Sequence, residues 1–164
     1  MTSYILVEQP GQSINKQTQN VEKETVTKHA TFPSFSTDTV EEKASLIVKG
    51  VPDKVNRTFL NGKDTPITEF QFKVTDVYKS NEDSTAKYIK VLQDGRLEDS
   101  YYNHPLMEIG NEYILFLDEP IEDTYIMVGG PSGKFEYDES ARSFTSVTQN
   151  NLITEVLEVL ISDN

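Results

Sequence analysis

The chain has 164 residues, 36% of them hydrophobic, with no cysteine and 15 basic against 27 acidic side chains, for a net charge of −12. A domain of this length buries roughly two thirds of its unfolded surface without a staple, and the missing thiols exclude disulfides and thiolate metal sites while leaving the compartment open. Residues 1 to 35 hold three lysines and three glutamates, so the whole acidic excess falls after them, and such a field repels phosphate backbones and anionic lipid.

No apolar run approaches the length of about 20 residues that spans a bilayer, and the N-terminus lacks the basic region and apolar core of a signal peptide. Tyr4 to Val7 suit a short strand or docking segment. From Gln9 to Lys28 the chain is rich in Gln, Asn, Thr, Lys and Glu, with only Ile14, Val21 and Val26 to bury, a composition that cannot offset its ordering entropy. Residues 1–30 are therefore expected to be a polar flexible segment or stalk, and 31–164 a folded domain.

Order is expected from Phe32-Pro33-Ser34-Phe35, followed by a helix start with Ser36 or Thr37 as N-cap and Asp38, Glu41 and Glu42 in the first turn. Thr39 and Glu42 also have capping-box spacing. The helix should be short, because Ser45 to Gly50 is β-branched and reads as a strand, ended or bent by Pro52, with Asn61-Gly62 as a turn.

The fold is organised around Thr68 to Tyr78, where Phe70, Phe72 and Val74 alternate at period two. Continuing that alternation would bury Asp76, whereas the next apolar residue is Val77, so a β-bulge is expected near Thr75 or Asp76. A long strand bent at a bulge can pair with both halves of a curled sheet and so close a small barrel. A polar loop from Lys79 to Thr85 leads to a returning strand, Lys87 to Leu92, with Ile89 and Val91 inward, and Asp94-Gly95 turns the chain.

Residues 96–111 read as irregular. Glu112 to Asp118 is apolar on both faces, as in a central strand covered on both sides. Glu119-Pro120 should break it, Thr124 to Val128 returns, and Gly129 to Gly133 turns into Lys134 to Tyr137. Leu152, Val156, Leu157, Val159 and Leu160 recur at helical spacing, predicting an amphipathic C-terminal helix capped by Asn150 or Asn151.

Four stretches in order, 41–50, 70–79, 109–117 and 125–135, resemble a group of secreted or lipid-anchored proteins of Gram-positive bacteria with an OB-like β-barrel. The resemblance covers about residues 36–137 and implies a mainly β fold, a five-stranded OB-like barrel, and a location outside the cell, with the signal segment upstream of Thr2. Its matching residues are core or turn, so it implies no reaction.

Residues able to carry chemistry are few. Gly129 to Lys134 lacks the glycine spacing and the Ser or Thr of a phosphate loop, and reads as a hairpin turn. Of the two histidines, His29 lies in the stalk, and His104 before Pro105 reads by default as a surface residue, with a general-base role as the alternative. Asp118, Glu119, Glu122 and Asp123, and again Glu136, Asp138 and Glu139, lack calcium-loop spacing and read as solvated acidic turns. Tyr101, Tyr102 and His104 form the best candidate contact surface, because tyrosines give amphipathic area at small entropic cost; alternatively one tyrosine closes the barrel end.

These features lead to the expectation of a non-enzymatic extracellular or cell-envelope binding module with an unknown protein or cell-wall partner. No cofactor, metal or nucleic-acid ligand is expected. Two alternatives stand beside it: an acidic cytosolic interaction protein that mimics nucleic acid, and a hydrolase with a loop active site.

Overall fold

The computed structural model describes residues 31–146 apart from positions 34, 36, 63 and 84, and of residues 37 and 38 only the backbone. The stalk expected at 1–30 and the C-terminal helix expected at about 150–160 lie outside the described residues.

Helix α1 (Thr37–Lys43) is a short lid on the barrel. Val40, 1% exposed, and the following Ala44 bury its inner face, and Lys43 sits in the last turn, where the helix dipole favours a cation. The helix starts at Thr37, so Thr39, expected to open a capping box with Glu42, lies within its first turn. Ser45 N–H donates to Leu117 O at 2.8 Å and leads directly into the first strand.

Strand β1 (Leu46–Asn61) pairs antiparallel along its whole length with β2 (Thr65–Ser80). The register slips where Tyr78 and Thr75 are each an extra residue on β2, then where Asp53 and Asn56 are extra on β1. The bulge anticipated at Thr75 is therefore present, and it is one of four that coil the ladder enough to close it. Of the two outcomes expected at Pro52, an end or a bend, β1 takes the second: it continues past Pro52 with a bulge at Asp53. The pairing of β1 with the later strand β4 stops at Gly50, so no neighbour on that side requires the N–H that Pro52 lacks. Gly62, at φ of +66°, makes the expected turn.

Strand β3 (Tyr88–Asp94) returns along β2, with Ile89, Val91 and Gln93 pointing inward. Strand β4 (Tyr113–Ile121) runs against β1 on one edge, and β5 (Thr124–Met127) pairs antiparallel with β4 and parallel with β3. The order β1-β2-β3-β5-β4 thus closes back on β1 as a five-stranded barrel of OB-like topology. Pro120 does not end β4 either: the strand takes up one extra residue between Asp118 and Ile121 and continues. A 3-10 turn (Gly130–Gly133) follows, then β6 (Lys134–Asp138) on the other end of β4 and β7 (Ser143–Thr145), an edge strand the sequence did not announce.

The core is in two layers, divided by β4. Tyr113, Leu115 and Leu117 face the barrel interior with Phe70, Phe72 and Val91, and half-buried Val74 packs against them. Ile114 and Phe116 face the other way, against Val40, Ile47, Val128 and Phe135. The apolar run of β4 is explained by this placement, since all five residues from Tyr113 to Leu117 are at most 1% exposed.

Candidate functional site

The loop from Arg96 to Glu112 lies across one end of the barrel and is pinned there from below. Gln93 Nε2 donates to Pro105 O at 2.8 Å while its Oε1 accepts from Met107 N–H at 3.0 Å, and Lys134 Nζ also donates to Pro105 O. Tyr113 Oη accepts from Glu108 N–H at 2.8 Å and donates to Glu136 at 3.1 Å. Gln93 was not singled out in the sequence, although it continues the inward alternation of Ile89 and Val91.

Of the three expected contact residues, Tyr102 is 70% exposed, Tyr101 is half-buried, and His104 is 1% exposed. The expectation of a surface histidine is thus corrected. The His104 ring packs edge-on against Phe32, centroids 5.1 Å apart, and Phe32 in turn meets Tyr101 at 6.1 Å. Burial, followed by the charge of Lys134, lowers the His104 pKa to about 3, so its imidazole is neutral and too weak a base to take protons at neutral pH. Burial likewise brings Lys134 down to about 8, with Glu136 pulling the other way.

The segment carrying Phe32 is held by the turn after β5. Gly129 and Gly130 adopt φ of +67° and +58°, and rings occupy the space where side chains would stand: Phe35 over Gly129 and Phe32 over Gly130. The glycine-rich run therefore serves as a cradle for two aromatic rings as well as a turn.

Beside that cradle opens a groove of about 740 Å³ on the outer face of the sheet. Strand register builds it in rows. Phe59 on β1, Ile67 on β2 and Asp94 on β3 are neighbours in one row, and Arg57, Glu69, Leu92 and Ile126 in the next. Phe32 and His104 close one end, and Ile121, 66% exposed, stands at the β4 rim. Within the second row, Glu69 is 6% exposed, its charge is paired with Arg57 at 2.9 Å and its other oxygen accepts from Asn56 Nδ2 at 3.2 Å, while the Arg57 guanidinium lies 4.8 Å from the Phe59 centroid. The groove's exposed lining is more apolar than polar, with Arg57, Glu69, Asp94, Asn61 and Thr124 set among the apolar side chains. No single stretch of sequence announces it, because four strands contribute to its floor.

The acidic turns are occupied with their own backbones. Asp118 accepts from Glu119 N–H at 2.9 Å, Glu119 from Asp123 N–H at 2.7 Å, and Asp138 from Ser140 N–H at 2.8 Å. Among the described residues no group of three His, Cys, Asp or Glu is arranged to hold a metal ion, and no helix is long and apolar enough to cross a membrane. A second hollow of about 500 Å³ lies at another part of the barrel, lined by Glu82, Lys90, Asp118, Glu119 and Tyr125. In comparison with known proteins, the chain matches no family model and shows no significant similarity to any curated protein.

Proposed function

We propose that this chain is a non-enzymatic binding module of the cell envelope or exterior of a Gram-positive bacterium, and that the groove between Phe59, Leu92 and Ile126 is where it meets its ligand. The single observation that carries the reading is the groove itself. Ile121 and Ile126 are exposed and Phe59 and Leu92 half-buried on the outer face of the barrel, where they are not needed for its core, and apolar surface gathered in a groove marks interaction sites. By analogy of fold, the face around strands 2 and 3 is the binding platform of other OB barrels. The resemblance of residues 36–137 to secreted and lipid-anchored proteins supports the location.

Tyr102 lies on the loop next to the Phe32 end and is the one residue of the sequence-based contact surface open enough to contribute at the rim. The test is an NMR titration of the isotope-labelled chain with solubilised Gram-positive cell-wall fractions. Shifts confined to the amides of Phe59, Leu92 and Ile126 support the groove; saturable shifts elsewhere, with these unmoved, overturn it.

A further inference from the structure

We propose that the groove takes an extended polypeptide segment in which a lysine or arginine alternates with an apolar side chain, the cation pairing with Asp94 and the apolar group resting on Leu92 and Ile126. The proposal rests on the groove being the binding face, and deepens that reading by naming the chemistry of the partner.

Asp94 is the carboxylate in the groove that no cation among the described residues neutralises. Its companion Glu69 is held by Arg57 and Asn56, whereas Asp94 has no ion-pair partner among the described residues and is stabilised only by its own backbone amide. It is half-buried, in a row with Phe59 and Ile67. Desolvation there pushes its carboxyl pKa up, the cost of keeping a charge among apolar groups. A cation delivered by a ligand would relieve that cost, and an acidic chain of net charge −12 draws basic partners toward it.

The carboxylate is also preorganised. Gly95 N–H donates to Pro66 O at 2.7 Å, and Thr68 Oγ1 donates to Gly95 O at 2.7 Å, so the backbone beside Asp94 is fixed to β2. A binding group whose backbone is already fixed loses little entropy when it engages. Lys90 does not fulfil the role of partner, since it lies four residues along β3, roughly 13 Å away at strand spacing.

An extended peptide matches this layout. Alternate residues on a strand are about 7 Å apart, which is also the spacing between the Asp94 row and the Leu92–Ile126 row. A segment lying along β3 with a cation at one position and an apolar residue two further on would therefore put each side chain on its complement.

The test uses the full chain and two synthetic probes, acetyl-Gly-Lys-Thr-Leu-Gly-amide and the same peptide with norleucine for lysine, followed by NMR shifts. The lysine probe should bind tighter by on the order of tenfold, shifting the amides of Leu92, Asp94 and Ile126, and Asp94→Asn should remove that preference. Because the norleucine comparison is made on the unaltered protein, it stands even if the variant is unstable. Equal binding of both probes in the groove would overturn the role of Asp94 while leaving the groove reading intact. No shift in the groove with either probe would overturn the polypeptide proposal, while the groove reading itself stands or falls on the titration with cell-wall fractions. Butylammonium shifting the same amides as strongly as the lysine peptide would replace the polypeptide with a small amine, and the proposal as stated would fall.

Discussion

Phe32 occupies the space where a side chain on Gly130 would begin: a Cβ at that position would meet Phe32 Cδ1 at 2.6 Å. The same backbone has φ of +58°, which a residue with a Cβ adopts only at a cost. Gly130→Ala should therefore destabilise the fold by about 1 to 3 kcal/mol, from backbone strain and displacement of the ring together. Combining it with Phe32→Ala separates the two. If the ring contact carries part of the cost, urea melts will show the double variant losing less than the sum of the singles.

Phe72 lies at the centre of the barrel interior, with no exposed surface, among Phe70, Val91 and Leu115. Truncation to Ala leaves a cavity that the closed ladder cannot collapse into, and should cost about 3 to 5 kcal/mol in a denaturant melt. A loss under about 1 kcal/mol would be inconsistent with a fully buried ring.

The barrel was legible in the sequence wherever local pattern and tertiary pairing agree. The phase slip after Val74 can be read from side-chain alternation alone, and Thr75 is indeed an extra residue on β2. The doubly apolar run from Tyr113 to Leu117 likewise states its own burial. Pro120 reads as a strand end and Pro52 as an end or a bend, and sequence alone does not decide between them, because a proline interrupts a ladder only where a neighbour needs its N–H, and that depends on pairings far along the chain. His104 reads as a surface residue from its loop composition, yet Phe32 covers it from a segment 72 residues earlier. The groove was not legible at all, since its rows arise from registers between strands.

Tyr101 and Tyr102, adjacent in sequence, should respond differently to substitution. Tyr102 is 70% exposed, so Tyr102→Ser should change stability by no more than about 0.5 kcal/mol. Tyr101 is half-buried with its ring against Phe32, so Tyr101→Ser should cost about 1 to 2 kcal/mol. Thermal melts of the two single variants decide this, and equal costs would show that the loop responds as one unit.

Single-stranded DNA should not bind despite the OB-like topology. Such sites combine stacking aromatics with a basic groove, whereas the net charge here is −12 and the guanidinium of Arg57 in the groove is already paired with Glu69. A salt-sensitive anisotropy change of labelled oligonucleotide at micromolar protein would contradict this.

Acid should weaken the fold through His104. Its pKa is lowered from 6.5 to about 3 because the buried ring cannot afford a charge beside Lys134. Between those values the unfolded chain binds a proton that the folded chain refuses, so the contribution of the neutral ring is fully present above about pH 6.5 and shrinks as the pH falls toward 3. The limiting slope is about 1.4 kcal/mol per pH unit, which puts the loss near pH 5 on the order of 2 kcal/mol. Lys134, lowered to about 8, has the same sign at the alkaline end: stability should rise from pH 8 toward its unfolded value of 10.5 as the unfolded chain alone remains protonated. Asp94 opposes the acid trend, since its raised pKa lets the folded state take up a proton first. His104→Gln isolates the histidine. Whatever that substitution costs at pH 7, its melting temperature should fall less steeply than that of the unaltered chain between pH 6.5 and 4, and parallel curves would mean that His104 becomes protonated in place.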